Sequence, residues 1–563
     1  MKISLSLALL MFSFITSVQS QPARYIIKLK DKPNAAQNIA HPERFLSAKA
    51  IARRHNHNIA ISASDVPVSA SYVESISAKG AKVVYQSKWL NTIIVESTNP
   101  ALISLVSSLP FVSRIQNLND SRSNTTEKNS VKPFFGNESI RAAGSLSNYK
   151  SGKSVTSYNY GGAFNQINML GGNQLHDLGF QGQGMTIAVI DGGFNSVDVL
   201  QVFDSLWAND QILGTSDFVQ PGNNVFNTNM STHGMMVLST MGGNMPGQMV
   251  GTAPKASYWL LRSEDTNAEY IMEEYFWVNA AEFADSVGAD IINSSLGYTE
   301  FDFGIGNHIY ADMDGNTTVV TIGADLAAQK GILVVNSAGN SGADWDSWKY
   351  IGAPADGDSV FTIGAVDGQG YRAYFSSRGP TYDGRIKPNV AALGQGTAVA
   401  DLSGGVSYGD GTSFSSPVIA GMTACLWQAN ISMSNMDIIN ALQRSGSQAN
   451  SPDSLLGYGI PNYMTANLYL AVNEPLSPSN NSDVSILPNP FSTGFTIDFK
   501  SHIRNGAVLT RLKSVSGLTV NEGSYSMNGS RLTINNLPNL APGIYILYIR
   551  SGNTEWVKKV VKF

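Results

Sequence analysis

Met185-Thr186-Ile187-Ala188-Val189-Ile190-Asp191-Gly192-Gly193-Phe194 is the stretch on which the fold class turns. It is apolar almost throughout and rich in β-branched residues. An alternating pattern would mark a strand with one wet face. A continuous run marks a strand covered on both faces, as in a parallel sheet. Asp191 then ends the strand before a Gly-Gly turn, at the carboxyl end where open α/β sheets place their sites. Taken alone, the same aspartate also reads as a turn cap.

Two further stretches bear on that aspartate. Ser231-Thr232-His233-Gly234-Met235-Met236-Val237-Leu238 starts a helical apolar spacing at His233. The central region has histidines at 176, 233 and 308, and only His233 is followed by a glycine, which leaves room for close approach. Gly411-Thr412-Ser413-Phe414-Ser415-Ser416-Pro417 precedes the apolar run Val418-Ile419-Ala420-Gly421. Proline is tolerated in the first turn of a helix, so Ser413 is expected just before a helix start. The free N–H groups and the positive dipole end there favour a nearby anion, as acyl transfer requires. A serine, a histidine and an aspartate supply nucleophile, base and orienter.

The chain order Asp, His, Ser, with these local motifs, resembles the subtilisin-like serine proteases over roughly residues 160–470. Ala289-Asp290-Ile291-Ile292-Asn293-Ser294-Ser295-Leu296-Gly297 and Gly331-Ile332-Leu333-Val334-Val335-Asn336-Ser337-Ala338-Gly339-Asn340 look like two core strands of that family. Phe375-Ser376-Ser377-Arg378-Gly379-Pro380 and Lys387-Pro388-Asn389-Val390 match segments that recur before its nucleophile. The resemblance implies a three-layer α/β fold around a central parallel sheet. It implies that Asp191 orients His233, that His233 takes the proton of Ser413, and that Asn340 with the Ser413 N–H holds the oxyanion. Ser295, Leu296, Gly297, Ala338 and Gly339 would line the substrate cleft. Gly192 and Met235 stand where the family usually carries hydroxyl residues, so the bracing of the three groups is expected to differ.

Composition bounds the rest. With 563 residues the chain is too long for one ordinary domain. A net charge of -5 without a basic block argues against a nucleic-acid binder. The lone Cys425 excludes an intramolecular disulfide and a multi-cysteine zinc site; its apolar neighbours mark it as a core thiol. No metal ligand set is expected. Asp312-Met313-Asp314-Gly315-Asn316 fails the EF-hand spacing and reads as a turn. No cofactor is implied beyond the structural calcium that many relatives bind.

The expected organisation runs from a signal peptide at 1–20 to a propeptide-like α+β domain at 21–118 and a polar, cleavable linker at 119–157. A peptidase domain at 158–470, a Pro/Ser/Asn linker at 471–483 and a β-sandwich at 484–563 follow. The last resembles type IX secretion sorting domains, through Pro488-Asn489-Pro490, Pro542-Gly543-Ile544-Tyr545 and a basic final strand. No transmembrane segment is expected in the mature form. The implied protein is a secreted or surface-exposed endopeptidase made as a zymogen, with peptide substrates and the type IX machinery as partners. Its rivals are an esterase or amidase with the same triad and a catalytically silent adhesin on this scaffold. The intact Asp191, His233, Ser413 and Asn340 argue against the adhesin.

Overall fold

The computed structural model describes residues 23–118, 138–142, 158–473, 483–514, 519–537, 540–552 and 554–563. The expected signal peptide and most of both linkers lie outside them. Among the described residues no helix is long and apolar enough to cross a membrane.

Seven parallel strands form the central sheet. In spatial order they are Val390–Leu393, Phe361–Val366, Leu333–Ser337, Ile291–Ser294, Thr186–Asp191, Ser257–Arg262 and Ile212–Asp217. Every residue of the strands from Thr186, Ile291, Leu333, Phe361 and Val390 is buried. That is why their sequences are continuous apolar runs. The winding changes direction around Thr186–Asp191, because the strands from Ile212 and Ser257 lie on one side of it and those from Ile291 onward on the other. Such a reversal opens a crevice at the carboxyl ends of the central strands. Helix Thr412–Ala429 packs on helix His233–Gly242, and helix Met272–Val287 packs on Val319–Gln329.

One helix starts earlier than its sequence indicates. Thr412 opens it and Pro417 is its sixth residue, so Ser413 lies within the first turn and not just before it. Pro417 has no N–H to give to the carbonyl four residues back, which belongs to Ser413. The hydroxyl of Ser295 donates to that carbonyl instead, at 3.0 Å.

The backbone divides into two compact units, and the residues expected to form one small N-terminal domain are shared between them. The first unit holds the described residues up to Pro33, with Val68–Gln86 and the chain from Leu90 to Leu118. Its sheet follows the order Lys82–Ser87, Thr92–Ser97, Ala23–Leu29, Val112–Asn117, over a core that includes Ile27, Ile76, Ile93, Val95 and Val106.

Asn34–Pro67 and Ser87–Trp89 belong to the second unit. A helix is expected over about 43–54; it begins only at Ala48, where the Ser47 hydroxyl caps it by accepting from Ala50 N–H. Pro42–Arg44 makes a separate 3₁₀ turn. Within this unit the buried charges near Asn34–Pro67 and Ser87–Trp89 are paired or hydrogen-bonded, as burial demands. Arg54 reaches Asp65 at 2.7 Å and Asp285 at 2.8 Å. The Glu282 carboxylate accepts from Ser87 Oγ and from the N–H groups of Lys88 and Trp89.

The C-terminal residues form an antiparallel sheet of Val484–Leu487, Phe495–Ser514, Thr519–Ile534, Gly543–Ser551 and Thr554–Lys562. The register of the long strand slips between Asp498 and Gly506. Residues from both halves, such as Ile497 and Leu512, enter one core.

Candidate active site

The carboxyl end of Thr186–Asp191 delivers Asp191 to the crevice, fully buried. Its Oδ1 accepts the Gly192 N–H at 2.7 Å. His233 opens its helix, its own N–H given to Ser231 Oγ at 3.1 Å. Nδ1 of His233 lies 2.8 Å from Asp191 Oδ1 and 3.0 Å from Oδ2. Gly234 is what permits this approach: a Cβ there would stand 2.4 Å from the Gly193 carbonyl oxygen and 3.0 Å from Asp191 Cβ. At Gly192 a Cβ would meet the Thr266 methyl at 3.0 Å, and Met235 is wholly in the core. At these two positions the chain offers a backbone N–H and an apolar side chain, and no hydroxyl.

Ser413 and Asn340 are brought together through Thr412. Asn340 follows the strand Leu333–Ser337, and its Oδ1 accepts from Thr412 N at 2.8 Å and Thr412 Oγ1 at 2.9 Å. With Oδ1 so used, Nδ2 is the end left to face the crevice. The Thr412 hydroxyl oxygen in turn accepts from Gly339 N–H at 3.1 Å. Ser413 Oγ is buried without a hydrogen-bond partner among the described residues, so it is not bonded to His233 in this state. Of the expected cleft residues, Ser295 holds the Ser413 carbonyl, and the Leu296 carbonyl accepts from Asn336 Nδ2 at 3.0 Å. Ala338 is fully buried, Gly339 holds φ at 105°, and Gly297 is half-buried.

The other two histidines of the central region are occupied elsewhere. His176 meets the Tyr160 hydroxyl at 2.9 Å and the Thr252 carbonyl at 3.0 Å, and burial lowers its pKa to about 4. His308 pairs with Glu274. Cys425 is fully buried, which pushes its thiol pKa far up and leaves it protonated.

One residue of the site goes unnoticed in the sequence. Glu138 lies in a stretch of linker composition, yet its Oε2 stands 3.4 Å from His233 Nε2 and its Oε1 accepts from Asn340 Nδ2 at 3.2 Å. Only the alternation of polar residues with Ile140 in Ser139-Ile140-Arg141-Ala142 hints at a strand there. Burial disfavours the imidazolium, but the carboxylates of Asp191 and Glu138 outweigh it and hold the pKa of His233 up at about 10. The raised pKa favours the imidazolium, whereas a general base must be neutral.

Among the described residues, Glu264, Glu269 and Glu273 form a group that could hold a cation, with oxygens within 4.8 Å of one another. Part of that capacity is committed, since Glu273 accepts the N–H groups of Asp265 and Tyr270, and Glu264 takes the Tyr298 hydroxyl. Asp312 ends a 3₁₀ turn, Tyr310–Asp312, and a turn follows in which Asp314 Oδ1 accepts from Asn316 and Thr317 N–H.

Three family models match this chain: the subtilase family over residues 182–459, the Bacteroidota peptidase S8 propeptide domain over 24–132, and the secretion system C-terminal sorting domain over 485–562. Subtilisin E of Bacillus subtilis (strain 168) is 29% identical over 273 residues, which cover 48% of this chain and 62% of that one. Subtilisin of Bacillus pumilus is 28% identical over 296 residues, 52% of this chain and 94% of the other. The solved structure of the prenylagaramide maturation protease PagA aligns over 53% of this chain and 98% of its own, at 24% identity and a TM-score of 0.42.

Proposed function

We propose that this chain, whose residues 182–459 belong to the subtilase family, is an exported serine endopeptidase made as a zymogen. The observation that carries the reading is the buried contact between His233 Nδ1 and Asp191, at the crevice that also receives Ser413 and Asn340. In the proposed reaction His233, once neutral, takes the Ser413 proton as Oγ attacks a peptide carbonyl, and then gives it to the leaving amine. Asp191 holds the ring in the tautomer that exposes Nε2 and stabilises its charged form. Asn340 Nδ2 and the Ser413 N–H bind the oxyanion, and water repeats the attack on the acyl-enzyme. Each group this needs is a side chain or a backbone N–H. A structural calcium is best sought at Glu264, Glu269 and Glu273.

The propeptide match supports maturation by cleavage, and the sorting-domain match supports export to the medium or the cell surface. A charge-free run at Ser295–Gly297 and Ala338–Asn340 favours apolar or aromatic residues before the cut bond. The test is labelling of the purified full chain by a fluorophosphonate, with hydrolysis of a peptide library alongside. Labelling that vanishes in Ser413→Ala, with matching loss of hydrolysis, is expected. Labelling that persists in Ser413→Ala overturns the assignment. Deleting 484–563 is expected to retain the protein in the cell envelope; undiminished export would refute the sorting role.

A further inference from the structure

Ser139–Ala142 pairs antiparallel with Val406–Asp410, in the register Ser139↔Asp410, Ile140↔Gly409, Arg141↔Tyr408, Ala142↔Ser407. The other edge of Val406–Asp410 is taken by Gln395–Ala400. Asp410 anchors the added strand: it accepts from the Ser139 hydroxyl at 2.8 Å and pairs with the Arg141 guanidinium.

Direction gives the strand its meaning. Val406–Asp410 leads through Gly411 into Ser413, so Ser139, opposite Asp410, is the end nearest the nucleophile. From there the segment runs C-terminally away from Ser413. In a bound peptide the residues that do so are those that follow the cut bond. Glu138, one residue earlier, turns its carboxylate inward, with Oε1 on Asn340 Nδ2 and Oε2 facing His233 Nε2. A carboxylate oxygen on that amide carries the charge that an oxyanion would carry and uses the same donor.

We propose that Val406–Asp410 is the seat of the leaving-group half of the substrate, and that Glu138–Ala142 is its built-in occupant, blocking the site with the Glu138 carboxylate in the oxyanion position. The inference rests on the hydrolase reading above. Strand addition supplies main-chain hydrogen bonds to any sequence, and pockets for alternate side chains supply the choice. Here Asp410 is the selecting group, matched to a hydroxyl or a guanidinium. An incoming peptide must displace the segment, and once Glu138 leaves, His233 loses one of the two carboxylates that keep it protonated.

The test uses the full chain with two variants, Glu138→Gln and Arg141→Ala. Glu138→Gln keeps shape and removes charge; Arg141→Ala loosens the strand at a half-exposed position without touching the site. Fluorophosphonate labelling is expected to speed up about tenfold or more in Glu138→Gln, the scale of a lost charged hydrogen bond, and by a smaller factor in Arg141→Ala. A second readout does not depend on reaction. In Ser413→Ala protein with isotope-labelled histidine, adding Glu138→Gln should lower the titration midpoint of His233 by about one pH unit or more. Wild-type labelling rates in both variants, with an unmoved His233 midpoint, overturn the proposal. Slower labelling in Glu138→Gln also overturns it, because Glu138 would then assist the reaction. A midpoint that falls while no variant ever labels supports the occupant and refutes the hydrolase reading, so the two failures are distinguishable.

Discussion

Two carboxylates flank His233, and they come from opposite kinds of sequence. Asp191 ends a wholly buried strand at the centre of the sheet, fixed by its neighbours on both sides. Glu138 immediately precedes a short edge strand that pairs with Val406–Asp410 and is anchored by Asp410. Both raise the pKa of the imidazole by the same Coulombic attraction. Asp191 does so at Nδ1, where in the proposed reaction it would set the tautomer of the neutral ring. Glu138 does so at Nε2, the nitrogen that must receive a proton. The same chemical group is thus expected to support the reaction on one side of the ring and to prevent it on the other. What separates the two roles is the depth of the element that carries each group.

The strongest way to break that contrast is to remove the core-borne groups. Ser413→Ala or His233→Ala is expected to lower turnover about a millionfold, as the corresponding changes do in subtilisin, and Asp191→Ala about ten-thousandfold. Combining them should add little, because they act as a unit. Single-turnover hydrolysis by each folded variant checks this, and a variant that keeps a tenth of its rate removes that residue from the triad.

Asn340→Ala comes next. Its amide faces Glu138 here and would face the oxyanion in the reaction, so kcat should fall about a hundred- to a thousandfold with KM nearly unchanged. An unaltered kcat would leave Asn340 only the task of fixing Thr412.

The pH dependence of stability sharpens the contrast further. The pKa of His233 is raised in the fold, from the usual 6.5 to about 10. Its contribution to stability is therefore complete below 6.5 and is lost as pH rises through about 10. In Ser413→Ala protein, which cannot digest itself, the thermal midpoint should fall across that window. The fall should be smaller when Glu138→Gln is added. A midpoint that is flat across the window in both proteins would mean that neither carboxylate holds the proton.

The smallest effect concerns the helix start. Ser295→Ala leaves the Ser413 carbonyl without its donor and should destabilise the chain by about 1–3 kcal/mol in urea unfolding. Pro417→Ala returns an N–H to that carbonyl, so the double variant should lose less than the sum of the two single changes. Strict additivity would show that the two residues do not share the carbonyl.

How much of this the sequence disclosed follows the same division. The sheet was legible because strands such as Ile187–Ile190 and Leu333–Val335 are buried on both faces and carry no alternation. Asp191 and His233 were legible because a strand end and a helix start have local signatures, and Gly234 marks their close approach. The helix start at Thr412 was misplaced, since proline normally sits at the opening turn and the hydroxyl that excuses Pro417 comes from Ser295, far away in sequence. The helix near Ala48 was extended too far back, across the 3₁₀ turn at Pro42 and the cap at Ser47. Glu138 had no signal of its own. Its partners, Asn340 and His233, are distant along the chain, and the alternation of a four-residue edge strand in a polar stretch is too short to mark it.

Glu138–Ala142 has a consequence that follows from covalent connection alone. It belongs to the same chain as the site it covers, so it competes with substrate at a local concentration on the order of millimolar, whatever the dilution of the protein. Under the proposal, few contacts are then enough to keep the crevice occupied. A free peptide of the same sequence would lack that advantage. One cut in the chain on each side of the segment would turn a dependable lock into a ligand that diffuses away, so control of this site is a matter of chain connectivity rather than of affinity.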